Sequence, residues 1–240
     1  MTTSWDDGAR ADLKVAELLR SKGVRGTFYI PIKHKGPVLD HLELRGLLSE
    51  GFELGSHGFS HKPLCNLSPQ ELVQEVSPCK PILEDIIGTE VRMFCYPWGR
   101  FDARVVQTVQ QCGFKGARTV RMLAIRPDFD PFEMPTTLQI FRHSPFTYFK
   151  NAARSGNIES WQRCLVQTPR LGNWLDLGKR LFDEVLECGG VWHLYGHSWE
   201  LEQYGLWDDL KEILDYVGGR EGVQYVSNSE LLPALGNVTL

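Results

Sequence analysis

The sequence predicts an α/β protein in which parallel strands are joined by helical crossovers. Short runs rich in β-branched and aromatic residues alternate with longer runs of helical periodicity. Polar or ionisable side chains also follow directly after several of the predicted strands. The alternation continues without an internal repeat, charged block or linker, which favours an irregular TIM-like (β/α) barrel of about seven strands. We therefore expect residues 1–240 to form one barrel domain.

The first quarter of the chain predicts two strand–helix units and a third strand. Residues 1–5 form a short strand, and Asp12–Lys22 carries an apolar helical stripe that ends before Gly23, a residue suited to a helix C-cap. Proline or glycine punctuates each later element. In order, these are the strand Arg25–Ile30, the helix His41–Ser49 and the strand Phe52–Ser56.

The next helix has the clearest start signal in the sequence. Ser68 as N-cap, Pro69 at the first helical position and Glu71 as return partner form a capping box. The prolines at 78 and 81 should interrupt the helix before it resumes. The following elements are the helix Ile82–Ile87, the strand Val91–Tyr96, a helix capped by Asp102 that runs to Cys112, and the strand Lys115–Val120.

Residues 121–173 are rich in proline and aromatic residues and show little periodicity. They predict only a strand at Thr137–Phe141 and a helix around Phe146–Ala153. Regular patterning then returns. The predicted elements are the helix Leu175–Glu187, the strand Val191–Tyr195, the helix Trp207–Tyr216 and a last strand, Val223–Val226.

Composition and charge exclude several classes of protein. The 26 Lys+Arg against 30 Asp+Glu give a net charge of −4, with no basic cluster to bind a nucleic acid backbone. No apolar run approaches the roughly 20 residues of a membrane helix, and no signal peptide is visible, so the expected location is cytoplasmic, with a trimmed signal as the alternative. The six cysteines are spaced singly, so any metal should use His and carboxylate ligands.

Reactive groups of parallel α/β folds collect just beyond the carboxyl ends of the strands. Functional side chains follow four of the predicted strands, in the segments Asp6–Gly8, Ser56–His61, Tyr96–Arg100 and Gly196–Glu200. His57 and His61 are four residues apart, and one helical turn would aim both imidazoles at one point. Such a pair also fits two surface or capping histidines. A carboxylate from another strand end would complete a His-His-Asp set suited to Zn²⁺ or a similar ion in hydrolysis.

Asp6 and Asp7 supply that carboxylate and a second one. Gly8 permits a tight turn that lets both acids face the mouth of the barrel, at the carboxyl ends of the strands. Asp-Asp-Gly also occurs as a surface turn. With a metal present, one aspartate would bind the ion and the other would act as general base. His197, just past the strand that contains His193, is the expected general acid, whereas His193 is expected to be a hydrogen-bonded core residue.

Four segments, TSWDDG, GFELGSHGFSH, FCYPWGR and GHSWE, resemble in order and spacing the motifs of the polysaccharide deacetylase family, also called carbohydrate esterase family 4 or the NodB-like homology domain. The resemblance extends over roughly residues 3–230. It implies an irregular barrel and a metal-dependent hydrolase that removes N- or O-acetyl groups from sugars. It also implies a carbohydrate as the partner.

The resemblance implies a role for each matching residue. Asp6 would be the general base and His197 the acid that protonates the leaving amine. The metal ligands would be Asp7, His57 and His61, with Zn as the first choice of metal and Co, Ni or Fe as alternatives. The substrate-binding residues would be Tyr96, Pro97, Trp98, Arg118 and Trp199, of which the two tryptophans would stack on a sugar ring.

The sequence departs from the family pattern at the third and fourth motifs. Cys95 stands where the family commonly has the arginine that orients the base, and either Arg118 or Arg100 could replace it. The fourth motif is not recognisable. Three hypotheses follow: a deacetylase of an N-acetylated sugar, a metal-dependent hydrolase of another amide or cyclic imide, and a catalytically silent carbohydrate-binding protein. The sequence leaves the sugar, the metal and the oligomeric state open.

Overall fold

A parallel sheet forms the centre of the computed structural model, which describes residues 1–33, 36, 38–155, 158–167 and 171–236. Within these residues the sheet has seven strands: β1 Thr2–Asp6, β2 Thr27–Ile30, β3 Glu53–Ser56, β4 Met93–Cys95, β5 Gly116–Arg118, β6 Leu138–Gln139 and β7 His193–Gly196. Their spatial order is β5-β4-β3-β2-β1-β7-β6. All six pairings between neighbours are parallel, so the predicted α/β barrel class is confirmed.

Helices pack around the outside of this sheet. Their bounds are α1 Asp12–Ser21, α2 His41–Ser49, α3 Pro69–Val76, α4 Cys79–Ile87, α5 Ala103–Gln111, α6 Pro145–Ser155, α7 Ile158–Val166, α8 Trp174–Cys188, α9 Ser198–Tyr204, α10 Trp207–Val217 and α11 Asn228–Gly236. The Ser68–Glu71 capping box is present, and the predicted break separates α3 from α4. Among the described residues no helix combines the length and apolar character needed to span a bilayer.

An irregular segment closes the gap between the two edge strands, β5 and β6. Arg118 bridges to Met134, and the amide of Thr119 donates to the Met134 carbonyl at 2.8 Å. Further along, the amide of Leu123 donates to the carbonyl of Thr137 at 2.9 Å. The proline-rich residues after 120 therefore complete the barrel wall with single backbone bonds in place of a regular strand ladder.

The barrel interior is polar. Strand alternation turns Trp5 and Phe28 outward into the apolar layer under the helices, while Ser4 faces inward. Ser4 Oγ is hydrogen-bonded to His193 Nε2 and donates to Asn228 Oδ1 at 2.9 Å. Burial is the main cause that lowers the pKa of His193 to about 3, so this imidazole is neutral. His193 is thus the hydrogen-bonded core residue that the sequence predicted.

The predicted last strand, Val223–Val226, is wrong. Among the described residues this segment is not part of the sheet. It contacts the residue before β1, where the Met1 amino group donates to the Gln224 carbonyl at 2.7 Å and the Val226 amide donates to the Met1 carbonyl at 3.0 Å. The physical reason is that both sides of β1 are already paired, with β2 and β7. The sequence also missed three helices, α7, α9 and α11, of which α9 begins directly after His197.

Candidate active site

The strand register brings the predicted site residues to one end of the barrel. Trp5 of β1 pairs with Gly196 of β7, so the residues that follow these two strands emerge side by side. Ile30 pairs with Ser56 on the other side, which places the start of the histidine loop next to the end of β2. The structure thereby gathers two acids and three histidines at the mouth, namely Asp6, Asp7, His57, His61 and His197.

Three of these side chains converge as a set of possible metal ligands. Asp7 Oδ1 lies 3.6 Å from His57 Nε2 and 3.3 Å from His61 Nε2. The two Nε2 atoms are 3.2 Å apart. We assign the proton of His57 to Nδ1 because this atom lies 2.9 Å from the Cys95 carbonyl oxygen, which leaves the Nε2 lone pair facing Asp7. Burial lowers the pKa of His57 and keeps this imidazole neutral, as a metal ligand must be.

If these residues bind an ion, at least one of their ligand atoms should have no hydrogen-bond partner in the protein. Asp7 Oδ1 is buried and accepts no hydrogen bond from the described part of the chain. One carboxylate oxygen and two imidazole nitrogens suit Zn²⁺ and related divalent ions. A second grouping, Asp6, His57 and Cys95, fits less well. Arg118 already pairs with Asp6, and burial raises the pKa of the Cys95 thiol, which opposes formation of a thiolate ligand.

The loop between the two histidines is irregular, so the predicted helical turn is wrong. Gly58 has φ +80°, and a Cβ atom there would lie 3.2 Å from the Pro97 side chain. A buried carboxylate on α3, Glu75, accepts hydrogen bonds from the amide and hydroxyl of Ser60. Glu75 therefore holds the loop in the shape that turns His61 back toward His57, a role that the sequence analysis missed.

Backbone strain concentrates at this mouth. Asp7, His61 and Trp98 have φ values of 78°, 57° and 61°, in the left-handed region that residues with a Cβ seldom adopt. In the described chain Leu123 is the one other residue besides glycine with positive φ. Such strain persists only where the surroundings enforce it, and it clusters at functional sites.

Asp6 is paired with Arg118. The Arg118 guanidinium donates to Asp6 Oδ1 and is fully buried between two rings, 5.3 Å from the centroid of Tyr29 and 4.8 Å from that of Tyr195. Burial opposes ionisation of Asp6, but the Arg118 charge outweighs it and holds the pKa of Asp6 below its usual range. Of the two candidate replacements for the missing arginine, the structure selects Arg118, since Arg100 is exposed. Arg118 is fully buried, and its predicted contact with substrate stays a prediction.

His197 has a carboxylate partner that the sequence analysis missed. Its Nδ1 lies 2.8 Å from Glu200 Oε2, and that oxygen also accepts a 3.0 Å hydrogen bond from Gln139 Nε2. The other ring nitrogen, Nε2, lies 3.8 Å from Asp6 Oδ2. Burial would lower the pKa of His197, but the hydrogen bond to Glu200 and the charge of Asp6 raise it to about 9. His197 is therefore a cation at neutral pH.

The Glu200→Gln variant should move the titration of His197 to lower pH. Loss of the Glu200 charge leaves burial less opposed, and we expect the pKa to fall by about one unit or more. In the wild-type protein the raised pKa contributes stability that is complete below the unfolded-state pKa, about 6.5, and is lost as pH rises through about 9. NMR titration of the imidazole measures the shift.

A neighbouring acid on the same helix supplies the control for this variant. Glu202 is exposed and lies 4.0 Å from Lys14 Nζ at the surface. The Glu202→Gln variant should leave the His197 titration where it is. Equal titration curves for Glu200→Gln and wild type would show that Glu200 does not hold the proton on His197.

Two exposed indoles flank the ligand set. Trp98 is 65% exposed and donates from Nε1 to the His61 carbonyl at 3.1 Å. Trp199 is 41% exposed and donates from Nε1 to Asp7 Oδ2 at 2.9 Å. Pro97 is buried against the Gly58 turn. The Tyr96 side chain is 1% exposed, stacks on Phe101 and donates to the Phe132 carbonyl, so it packs in the interior, and a contact of Tyr96 with substrate stays a prediction.

The fold and the site together define a class: a barrel of parallel strands with an acid–histidine cluster at the carboxyl ends that can hold a metal ion. The sequence model of the polysaccharide deacetylase family matches residues 1–117 of this chain. This match confirms the resemblance to the family over residues 1–117, which contain three of the four motifs.

Individual relatives agree with this family match. A chitin deacetylase of Pestalotiopsis sp is 26% identical over 113 residues, which cover 46% of this chain and 38% of that protein. Among solved structures, the Xyl-CE4 domain of a multidomain xylanase from the hindgut metagenome of Trinervitermes trinervoides gives a TM-score of 0.61 at 15% identity, covering 98% of this chain and 90% of that one. The chitin deacetylase of Colletotrichum lindemuthianum gives 0.60 at 15%, covering 96% and 85%.

These comparisons differ in what they support. At such identities the two solved structures show that the fold is shared. The chain spans 41% and 38% of the length of two curated relatives that it matches. The activity and substrates of those longer proteins therefore come to this chain only as proposals.

Proposed function

We propose that this protein is a metal-dependent hydrolase that removes the acetyl group from an N-acetylated sugar of a polysaccharide or a glycoconjugate precursor. The observation that carries the proposal is the placement of three groups around one mouth. These are a buried acid paired with a cation, a protonated histidine paired with an acid, and a separate Asp-His-His set. The match to the polysaccharide deacetylase family supports the same conclusion.

Asp7, His57 and His61 would hold the ion. A divalent cation bound there supplies Lewis acidity toward the acetyl carbonyl oxygen. We propose Zn²⁺ first, with Co²⁺, Ni²⁺ or Fe²⁺ as alternatives, because a donor set of two imidazoles and one carboxylate accepts each of these ions.

Asp6 and His197 would perform the two proton transfers of amide hydrolysis. Arg118 keeps Asp6 ionised, so Asp6 Oδ2, the oxygen not bonded to Arg118, accepts a proton from the attacking water. His197, held protonated by Glu200, donates its Nε2 proton to the nitrogen of the leaving amine. Because Nε2 lies 3.8 Å from Asp6 Oδ2, both transfers can occur at one bound acetamide.

The two indoles would bind the sugar. Trp98 and Trp199 present exposed ring faces on either side of the ligand set, and aromatic faces suit the apolar faces of sugar rings. The Trp98→Ala variant should raise KM for an N-acetylated sugar while kcat changes little, because it removes binding surface and no proton-transfer group. Steady-state kinetics on one soluble substrate measure both constants. A loss confined to kcat would contradict a binding role for Trp98.

Metal content and acetate release test the proposed function directly. The purified protein should bind about one divalent ion per chain, lose it to a chelator and regain activity when the ion returns. His57→Ala should lose both metal and acetate release, whereas His41→Ala, on the remote helix α2, should keep both. A folded wild-type protein that binds none of these metals would overturn the metal site.

The choice of substrates separates the alternatives. Monosaccharides, nucleotide sugars and oligomers, all N-acetylated, form one panel, and simple amides and cyclic imides form the other. Opening of a cyclic imide without acetate release from any sugar would favour the second hydrolase hypothesis. Sugar binding without turnover of either panel, in the presence of bound metal, would favour a catalytically silent carbohydrate-binding protein.

A further inference from the structure

The two adjacent aspartates have partners of different charge. Asp6 pairs with a guanidinium cation, whereas the partner of Asp7 is the neutral indole N–H of Trp199. A cation neutralises the carboxylate it contacts, but a neutral donor orients the carboxylate and leaves its full negative charge available. The partner therefore decides which of the two acids can serve a metal ion.

We propose that Trp199 is a positioning residue for the metal set: its indole N–H fixes the carboxylate of Asp7 so that the other oxygen points at the two histidines. The proposal rests on the proposed function, since it assumes that Asp7, His57 and His61 bind the ion. Trp199 Nε1 donates to Oδ2 at 2.9 Å, while Oδ1 lies within 3.6 Å of both imidazole nitrogens.

Without the indole bond, the carboxylate of Asp7 would lack this constraint. Asp7 follows directly after β1 in a turn with positive φ, so no regular backbone structure holds its side chain. Oδ1 accepts no hydrogen bond from the described residues, which leaves Trp199 as the identified donor to this carboxylate. A partner that orients a metal-ligating carboxylate typically changes metal affinity by roughly 10–100-fold when it is removed.

The fold explains how Trp199 reaches Asp7. The paired residues Trp5 and Gly196 set β1 and β7 in register, and α9 begins two residues after Gly196. The first turn of α9 thus stands beside the turn that carries Asp7. Consecutive residues of this helix contact different parts of the site, Trp199 the metal-ligating acid and Glu200 the proposed general acid.

The Trp199→Phe variant separates the two roles of this side chain. Phenylalanine keeps an aromatic face for a sugar ring and removes the N–H donor. Trp207→Phe is the matched control, because Trp207 is a half-buried tryptophan whose Nε1 has no hydrogen-bond partner in the described part of the chain. We expect Trp199→Phe to bind Zn²⁺ and Co²⁺ roughly 10–100-fold more weakly than wild type, and Trp207→Phe to bind them as wild type does.

Metal affinity is measured by competition with a chromophoric chelator, without substrate, and thermal unfolding of the metal-free proteins checks that each variant folds. A double-mutant cycle with Asp7→Asn tests the route of the effect, since Trp199→Phe should weaken binding little further in that background. Equal affinity of Trp199→Phe and wild type would overturn the inference and leave the metal site intact. An equal loss in both backgrounds would also overturn it. A folded wild-type protein without metal would overturn the proposed function itself.

Discussion

Asp6→Asn should abolish most turnover while the protein keeps its metal. The asparagine amide cannot accept the proton of the attacking water, and removal of a general base typically lowers kcat by about 10²–10⁴-fold. Asp6 lies outside the Asp7, His57 and His61 set, so the substitution removes none of the proposed ligand atoms. The measurement is acetate release together with metal content of the same preparation.

The neighbouring Asp7→Asn variant is the matched comparison. It should lose metal affinity and turnover together, because Asp7 Oδ1 is the carboxylate oxygen that faces both imidazoles. Asp6→Asn leaves Arg118 buried beside a neutral side chain, so both variants should be assayed well below their unfolding temperatures. An Asp6→Asn protein with wild-type kcat would show that another group accepts the proton.

Much of the fold could be predicted from local signals. Each parallel strand overlaps one of the short strand-like runs of the sequence, and several helices carry start or stop signals, of which the Ser68 capping box is the clearest. Closure of the barrel could not be predicted, because residues 119–137 complete the wall through isolated bonds, such as the one from Thr119 to Met134, and form no regular strand ladder. The last predicted strand failed for a similar reason, since its β-rich composition says nothing about whether a sheet edge is free.

The site residues that follow strands directly could be predicted from the sequence. Asp6, Asp7, His57, His61 and His197 follow strands directly, and the structure brings all five together. Their supporting residues were not predictable in the same way. Glu75 lies on a helix 14 residues beyond His61, so tertiary contact alone reveals its role. Arg118, on β5, was one of two alternatives beside Arg100, and tertiary contact decides between them. Glu200 had a local signal, because it follows His197 by three residues across the first turn of a helix.

Asp6 is ionised although the nearby Cys95 is not an arginine, because Arg118 supplies the positive charge. Cys95 stands at the end of β4, and its Sγ lies 3.8 Å from Asp6 Oδ2. The cation comes instead from the next strand, since Cys95 pairs in register with Arg118 on β5. The aromatic rings of Tyr29 and Tyr195 contact the guanidinium and hold it in the barrel interior. A cation therefore lies beside Asp6 although Cys95 stands where the family commonly has an arginine.

Arg118→Met should cause the largest loss of stability among these variants. Removing one partner of a buried ion pair typically lowers the free energy of unfolding by about 3–5 kcal/mol, because the other charge remains buried without compensation. Methionine fills much of the vacated volume, so loss of packing should be the smaller effect. Denaturant unfolding of metal-free protein at neutral pH measures the difference from wild type.

The pH dependence of this loss distinguishes the ion pair from packing. In wild type the pKa of Asp6 lies below its unfolded value, so the pair contributes stability above about pH 4 that is lost on acidification. In Arg118→Met the largest charge that opposes burial is gone while His57 and His197 still favour ionisation, so the pKa of Asp6 should rise and the stability gained above about pH 4 should shrink. Adding Asp6→Asn removes the buried charge and should restore part of the lost stability at neutral pH. A deficit that is the same at all pH values, and is not relieved by Asp6→Asn, would mean that Arg118 acts through packing and does not keep the base ionised.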